Sequence, residues 1–416
     1  MKILWITNTL FPEVHALIAG QGELKGSGGW MIASAEKLIQ QEDVVLSVAT
    51  VSHLVKDLKV VKGERILYYI LPLGKGNLKL NSEYDKYWQK VKKDFQPDVV
   101  HIHGTEFSHG LSYINACGNQ NVVVSLQGLK SKIASYYCAG ITRKEILRNI
   151  TFRDLIKGTI FSEQKKFEES GRTIEKSMLS QVKHIIGRTS WDRAHAWAIN
   201  PNAKYHFNNE TLRQEFYDGS KWNYDKCEKH TIFLSQAGYP LKGLHQVLSA
   251  MPLILRNYPN AKIKVAGNDI TKYKSLREKI RISGYGMHIR RLIHKMHLEN
   301  HIEFLGPLNA EQMKQAYLDC NVFICPSSIE NSPNSLGEAQ LLGVPHVASY
   351  VGGVADMMVG NEDNLYRFEE YEMLAKKVCR IFANEDEQID MSNIALQRHN
   401  RDENLNQLLT IYNEIK

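Results

Sequence analysis

The stretch Ile324-Cys325-Pro326-Ser327-Ser328-Ile329-Glu330-Asn331-Ser332-Pro333-Asn334-Ser335-Leu336-Gly337-Glu338 sets the reading of the whole chain. Its apolar start reads as a buried strand ending at Pro326, and its polar middle as a loop. Its end reads as a helix opening near Asn334 or Ser335, both good N-cap residue types. Strand, loop and helix in that order form the repeating unit of an α/β protein with a parallel sheet. The amides at such a helix start, with the helix dipole behind them, suit a phosphate. Glu338 falls about one turn inside the helix and Glu330 in the loop before it, so the two carboxylates flank the anion site rather than meet. Carboxylates repel phosphate but accept hydrogen bonds from sugar hydroxyls. The constellation therefore fits a nucleotide sugar, with the ribose near one acid and the transferred sugar near the other. Either glutamate alone would read as a surface residue beside a helix cap.

Working outward, short apolar runs alternate with amphipathic stretches along all 416 residues. The first half offers strands at Lys2–Ile6, Val44–Val51, Arg65–Leu71, Asp98–Ile102, Val122–Leu126 and His184–Gly187. A second series begins after the polar segment Asn208–Lys229, with strands at Thr231–Ser235, Lys262–Ala266, His301–Leu305, Val322–Pro326, His346–Ser349 and Asn364–Phe368. Two successive doubly wound halves predict two Rossmann-like domains facing each other across a cleft, with ligands at the carboxyl ends of the strands. The expected boundaries are a first domain over 1–207, a linker over 208–229, a second domain over 230–390 and a C-terminal helix over 391–416. That last helix has the pattern to pack on either domain.

The formal charge of +7 is unevenly spread. Residues 1–200 hold 27 Lys and Arg against 19 Asp and Glu, and the remainder 25 against 26. A basic half suits phosphate or an anionic membrane surface, or is a solvated face with no partner. Within it, Lys130–Arg193 carries 14 basic against 7 acidic residues, with Phe152, Leu155, Ile156, Ile160 and Phe161 interleaved. That is an amphipathic basic surface able to lie on anionic lipid, or a core-packing helix with a basic outer face. Six scattered cysteines without a C-x-x-C fit reduced thiols. The apolar N-terminus turns polar at Thr7-Asn8, too short for a signal peptide. The expected location is the cytoplasm, with any membrane contact peripheral at the inner face.

Three further motifs bear on chemistry. Ser235-Gln236-Ala237-Gly238-Tyr239-Pro240-Leu241-Lys242-Gly243 joins the first strand of the second half to its helix, and Lys242 is placed to offset pyrophosphate charge. Gly26-Ser27-Gly28-Gly29-Trp30 precedes a helix in the first half, where Gly28 and Gly29 let a phosphate or sugar ring come close, or simply make a tight turn. His101-Ile102-His103-Gly104 ends a strand, with both imidazoles on one side. His103 reads as lining the cleft and His101 as structurally satisfied; a zinc site with His109 is the weaker alternative.

These residues resemble the retaining GT-B glycosyltransferases of the glycogen synthase and mannosyltransferase type, usually called family 4. The resemblance runs from the N-terminal strand and glycine loop, through Pro97–Gly104, to the C-terminal helix. Its most specific part is Glu330 and Glu338 with seven residues between, followed by Gly343-Val344-Pro345 and Val351-Gly352-Gly353. It implies a nucleotide diphosphate sugar donor, with UDP favoured. Glu338 would bind the ribose and Glu330 the donor sugar, while Lys242 and the amides of Asn334, Ser335 and Leu336 hold the diphosphate. It also implies same-face, retaining transfer with no metal cofactor, because protein cations and amide dipoles take the role of a divalent ion. The basic, amphipathic first half suggests an acceptor with phosphate, a glycan or polyprenyl-diphosphate-linked sugar, and capsule or lipopolysaccharide assembly is the natural setting for such enzymes.

Two positions depart from the family pattern. Five residues before Lys242, where an arginine is common, stands Ala237, beside Gln236. Arg188, after a first-half strand, is the candidate to replace that cation, or else pairs structurally with Asp192. After the strand at Val122–Leu126, where many members have histidine, stands Gln127, which cannot act as a general base. A nucleotide-sugar 2-epimerase on the same fold and a degenerate nucleotide-sugar-binding subunit stay open beside the transferase. Nucleic-acid binding is not expected, since no such module shows.

Overall fold

The computed structural model describes residues 1–20, 29–73, 82–273, 275, 278, 280–384 and 390–416. Two compact units are present, each built on one sheet.

The first unit comprises Met1–Ser131, Glu168–Leu212 and His399–Lys416. Its strands are β1 (Lys2–Ile6), β2 (Val45–Ser52), β3 (Lys59–Lys62), β4 (Leu67–Pro72), β5 (Val99–His103), β6 (Val122–Ser125), β7 (His184–Gly187) and β8 (Lys204–Phe207). Their order in the sheet is β3-β4-β2-β1-β5-β6-β7-β8, parallel except for β3 against β4. Side chains alternate across a strand, so β1 sends Leu4 and Ile6 into one core and Ile3 and Trp5 into another. Burial on both faces explains why these strands read as continuous apolar runs. The helix Arg401–Ile415 closes the Ile3–Trp5 face with Leu408, Ile411 and Tyr412, and Trp5 Nε1 donates to Tyr412 Oη at 2.9 Å.

The second unit comprises Lys132–Phe167 and Arg213–Arg398. Its strands are β9 (Glu228–Leu234), β10 (Lys262–Ala266), β11 (Ile302–Gly306), β12 (Cys320–Cys325), β13 (His346–Ser349) and β14 (Leu365–Tyr366). They run parallel in the order β11-β10-β9-β12-β13-β14. The helices Leu244–Leu255 and Tyr371–Ala383 cover one face, over Ile232, Ile263, Val322 and Ile324. Connections leave β9 toward one edge and β12 toward the other. Such a reversal of direction opens a crevice at the carboxyl ends of the two central strands, where α/β folds bind ligands. The loops after β9 and β12 are the two singled out in the sequence.

The expected boundaries are corrected in three places. Residues 132–167 leave the first domain, because Ile141 and Ile146 bury themselves in the core of the second sheet and the imidazole of His245 lies 2.7 Å from the Ala139 carbonyl. The change between units falls at Leu212–Arg213 rather than across a linker of 208–229. The final helical pattern is two helices, Ser392–Arg398 and Arg401–Ile415, because Asn400 stops the first and caps the second, accepting from the amides of Asp402 and Glu403 at 3.1 Å.

The charge reading changes with the boundary. Residues 132–167 hold 8 Lys and Arg against 3 Asp and Glu, leaving the first unit nearly balanced at 22 against 20 and the second at 30 against 25. The basic excess is therefore not a property of the first sheet but of one inserted segment.

Candidate functional site

The second unit assembles most of the site. β12 is buried from Cys320 to Cys325, and the chain leaves it through Pro326 into the loop that carries Glu330. The helix then runs Asn334–Leu341, with Pro333 in the N-cap position and no side-chain cap bond. This corrects the expected cap at Asn334 or Ser335. Pro333 is extended (φ −70°, ψ 116°), and its carbonyl already receives the amides of Leu336 at 3.0 Å and Gly337 at 3.3 Å. Asn334 and Ser335 are thus the first helical residues. Their amides precede the first i to i−4 acceptor, at the positive end of the helix dipole. Leu336 is fully buried.

Two glycines fix the Glu330 loop. Gly352, at φ +53°, lies where an added Cβ would stand 1.9 Å from the Glu330 carbonyl oxygen, and the Gly353 amide donates to that oxygen at 3.0 Å. Gly243, at φ +71°, would put a Cβ 1.7 Å from the Pro326 carbonyl. Only glycine supports both the backbone angle and the close approach. The Ser328 amide donates to the Leu241 carbonyl at 2.8 Å, which ties the β12 loop to the β9 loop.

On this frame Lys242 and Glu330 meet, with Nζ 2.5 Å from Oε1. Ser327 Oγ donates to the same oxygen at 2.7 Å. Burial works against the ammonium, but Glu330 and Tyr239 together outweigh it and hold Lys242 above its ordinary value. The Tyr239 ring lies 5.8 Å from Nζ. Both members of the pair keep part of their surface exposed, at 15% and 17% of the side chain. Ala237 is buried in the core and Gln236 is exposed, so neither places a second cation beside Lys242.

Glu338 is buried, and its Oε1 receives Arg213 through Nε and Nη2, each at 2.8 Å. Burial lifts this carboxyl to about 7 against the pull of Arg213, which favours the carboxylate. Arg213 went unnoticed in the sequence, where it is one basic residue in a polar stretch with no motif around it. Nor did the sequence show that the inserted segment reaches this loop: Ser328 Oγ donates to the Tyr136 carbonyl, at the end of helix Lys130–Tyr136, at 3.1 Å.

The remaining candidates lie in the first unit. Gly28 is outside the described residues, and Gly29 opens the helix Gly29–Leu38. His103, Gln127 and Arg188 line one small cavity of about 40 Å³ with Trp5, Trp30 and Glu210. The rings of His101 and His103 lie 3.8 Å apart between centroids, and His101 Nδ1 is 2.6 Å from Tyr412 Oη. Burial lowers His101 to about 3 and His103 well below its ordinary value, so both are neutral. Arg188 is buried and ion-paired with Glu210, and Nη2 donates to the carbonyls of Leu126 at 2.9 Å and Gln127 at 3.3 Å. Asp192 meets the backbone of Arg188. That carboxylate takes the Arg188 backbone amide at 3.0 Å and forms a capping box with Thr189. The guanidinium is thus engaged inside its own unit.

Residues 220–398, which include β9, β12 and their loops, match the family model described as Glycosyl transferases group 1. An uncharacterized glycosyltransferase of Methanocaldococcus jannaschii is 29% identical over 132 residues, covering 32% of this chain and 30% of the relative. The D-inositol 3-phosphate glycosyltransferase of Corynebacterium urealyticum is 25% identical over 185 residues, covering 42% and 41%. The chain thus matches less than half the length of these relatives. Sucrose-phosphate synthase of Thermosynechococcus elongatus shares the fold at TM-score 0.71 and 15% identity, over 100% of this chain and 98% of that one. HepE of Anabaena, in a complex with UDP-glucose, shares it at TM-score 0.63 and 14% identity, over 100% of both. The fold is that of the GT-B glycosyltransferases, two units each with a parallel sheet.

Proposed function

We propose that the chain is a retaining glycosyltransferase of family 4 that moves a sugar from a nucleotide diphosphate sugar, UDP-linked by preference, to a glycan or polyprenyl-diphosphate-linked acceptor. The setting is surface polysaccharide assembly at the cytoplasmic side of a membrane. One observation carries the reading: at the reversal point of the second sheet, the loop holding a lysine–glutamate pair runs into a helix start, one turn before a buried, arginine-held glutamate.

In this reading the diphosphate docks on the amides of Asn334, Ser335 and Leu336. Lys242 then exchanges its contact with Glu330 for the phosphate oxygens. Glu330, relieved of the ammonium, accepts hydroxyls of the donor sugar. Glu338 accepts the ribose hydroxyls, and Arg213 fixes the carboxylate that does so. The bond from the anomeric carbon to the phosphate oxygen breaks as negative charge grows on the leaving group, where Lys242 and the helix dipole favour it. The acceptor oxygen bonds to the same face, and its proton passes to the departing phosphate oxygen. No protein nucleophile takes part. His103 and Gln127, neutral and beside the first-unit cavity, are acceptor-side residues here. The protein's own cations and dipoles carry the charge, so the reading assigns no metal.

The deciding experiment is incubation with a panel of labelled nucleotide sugars, with and without lipid-linked acceptor. Transfer, or slow hydrolysis of one donor, is expected. Interconversion of the sugars, or binding without turnover, would overturn the reading.

A further inference from the structure

The two short helices Arg143–Arg148 and Phe152–Lys157 sit in the inserted segment, and their backbones are firmly held. Each opens on a capping box, Thr142 with Glu145 and Thr151 with Asp154. Ile146 and Asp154 are buried, Thr151 Oγ1 donates to the Ile282 carbonyl at 2.7 Å, and Arg291 donates to the Arg148 carbonyl at 3.1 Å. A fixed backbone of this kind has no need of apolar side chains on its outer side. Yet Leu147, Ile150, Phe152, Leu155 and Ile156 all point to solvent, the last two 73% and 69% exposed. Elsewhere among the described residues, large exposed apolar side chains occur in ones and twos along the chain.

The segment's own charges around this patch are one-sided. Arg143, Lys144, Arg148 and Lys157 are exposed beside it. The three acids of the segment are engaged: Glu145 and Asp154 in the capping boxes, and Glu163 with Lys166 at 2.6 Å. A preformed apolar ridge ringed by unopposed cations matches an anionic bilayer, whose headgroups meet the cations while its hydrocarbon edge takes the ridge. We infer that residues 143–157 form a docking surface for an anionic lipid bilayer, held rigidly by the second unit. The inference is independent of the transferase reading, and its test measures binding alone.

Full-length chain is sedimented with vesicles of phosphatidylcholine, with or without phosphatidylglycerol, at low and high salt. Binding is expected only with phosphatidylglycerol, and it should weaken as salt screens the cations over a Debye length of about 8 Å at physiological strength. Leu155→Glu combined with Ile156→Glu should weaken binding about tenfold or more, since burial of two such side chains is lost. Phe152→Ser should give a smaller loss, and both variants should keep the parent's thermal midpoint. Equal binding to neutral vesicles would overturn the inference, as would undiminished binding by the double variant. A third overturning result is no vesicle binding together with a dimer, seen by sedimentation velocity, that the double variant abolishes. That would make the ridge a contact between copies of this chain.

Discussion

The carboxyl ends of the two sheets carry similar kinds of residue and treat them in opposite ways. In the first unit the charges are matched within the fold: Arg188 is buried on Glu210, and His101 and His103 are buried and neutral. In the second unit the Lys242–Glu330 pair keeps part of its surface exposed, on the loop that leads into a helix start. A charge already satisfied by its own fold serves stability. A charge pair at the rim of a crevice can trade its partner for a ligand. Residue type does not separate these cases, but burial and the identity of the partner do.

The sharpest way to break this comparison is Arg188→Ala. It leaves Glu210 buried without its cation, which should cost about 3–5 kcal/mol of stability in urea unfolding. If stability is unchanged while donor turnover falls, Arg188 acts on the leaving group and the contrast fails. The counterpart in the second unit is Glu330→Gln. Because only 15% and 17% of the two side chains are exposed, facing Lys242 with a neutral amide should cost about 1–3 kcal/mol in urea unfolding, less than the first-unit change. Nucleoside diphosphate binding should hold, while turnover falls by about a hundredfold or more if Glu330 orients the donor sugar. Wild-type turnover would remove Glu330 from the site.

A smaller effect concerns pH. Glu106 is a first-unit carboxyl that burial raises from 4.5 to about 7, despite the opposing pull of Lys130. Between those two values the folded chain holds a proton that the unfolded chain has lost. Stability should therefore fall as pH rises through that window, by at most about 3 kcal/mol from this group. Glu106→Gln should flatten that slope in urea midpoints measured across the window; an unaltered slope would show that Glu106 is not its source. Last, Glu338→Ala should weaken nucleoside diphosphate binding by about tenfold, the loss of one charge-assisted hydrogen bond. A calorimetric titration with no loss would end its ribose role.

Much of the fold was legible because parallel strands buried on both faces are continuous apolar runs. Lys2–Ile6, His184–Gly187, Lys262–Ala266 and His346–Ser349 stand where the pattern predicts them. β3 and β8 were missed: Lys59–Lys62 and Lys204–Phe207 are edge strands of four residues, half charged or exposed, with no run to see. The Glu330–Glu338 spacing was readable because it lies within one strand–loop–helix unit. Arg213 was not, since its meaning comes from Glu338, 125 positions away. The inserted segment showed its basic, amphipathic character plainly but not its allegiance. Only the burial of Ile141 and Ile146 against a distant sheet decides which unit owns its charge.

The helix Arg401–Ile415 brings one more consequence, for the order in which the chain is made. The first sheet needs Leu408, Ile411 and Tyr412 to cover the face bearing Ile3 and Trp5. Those residues leave the ribosome only after every strand of the second unit. The first unit must therefore wait, that face covered only by Val14, Met31, Ala35 and Leu38 of its early helices, while its neighbour is synthesised, and nascent chains stalled before residue 401 should be the ones that recruit chaperones.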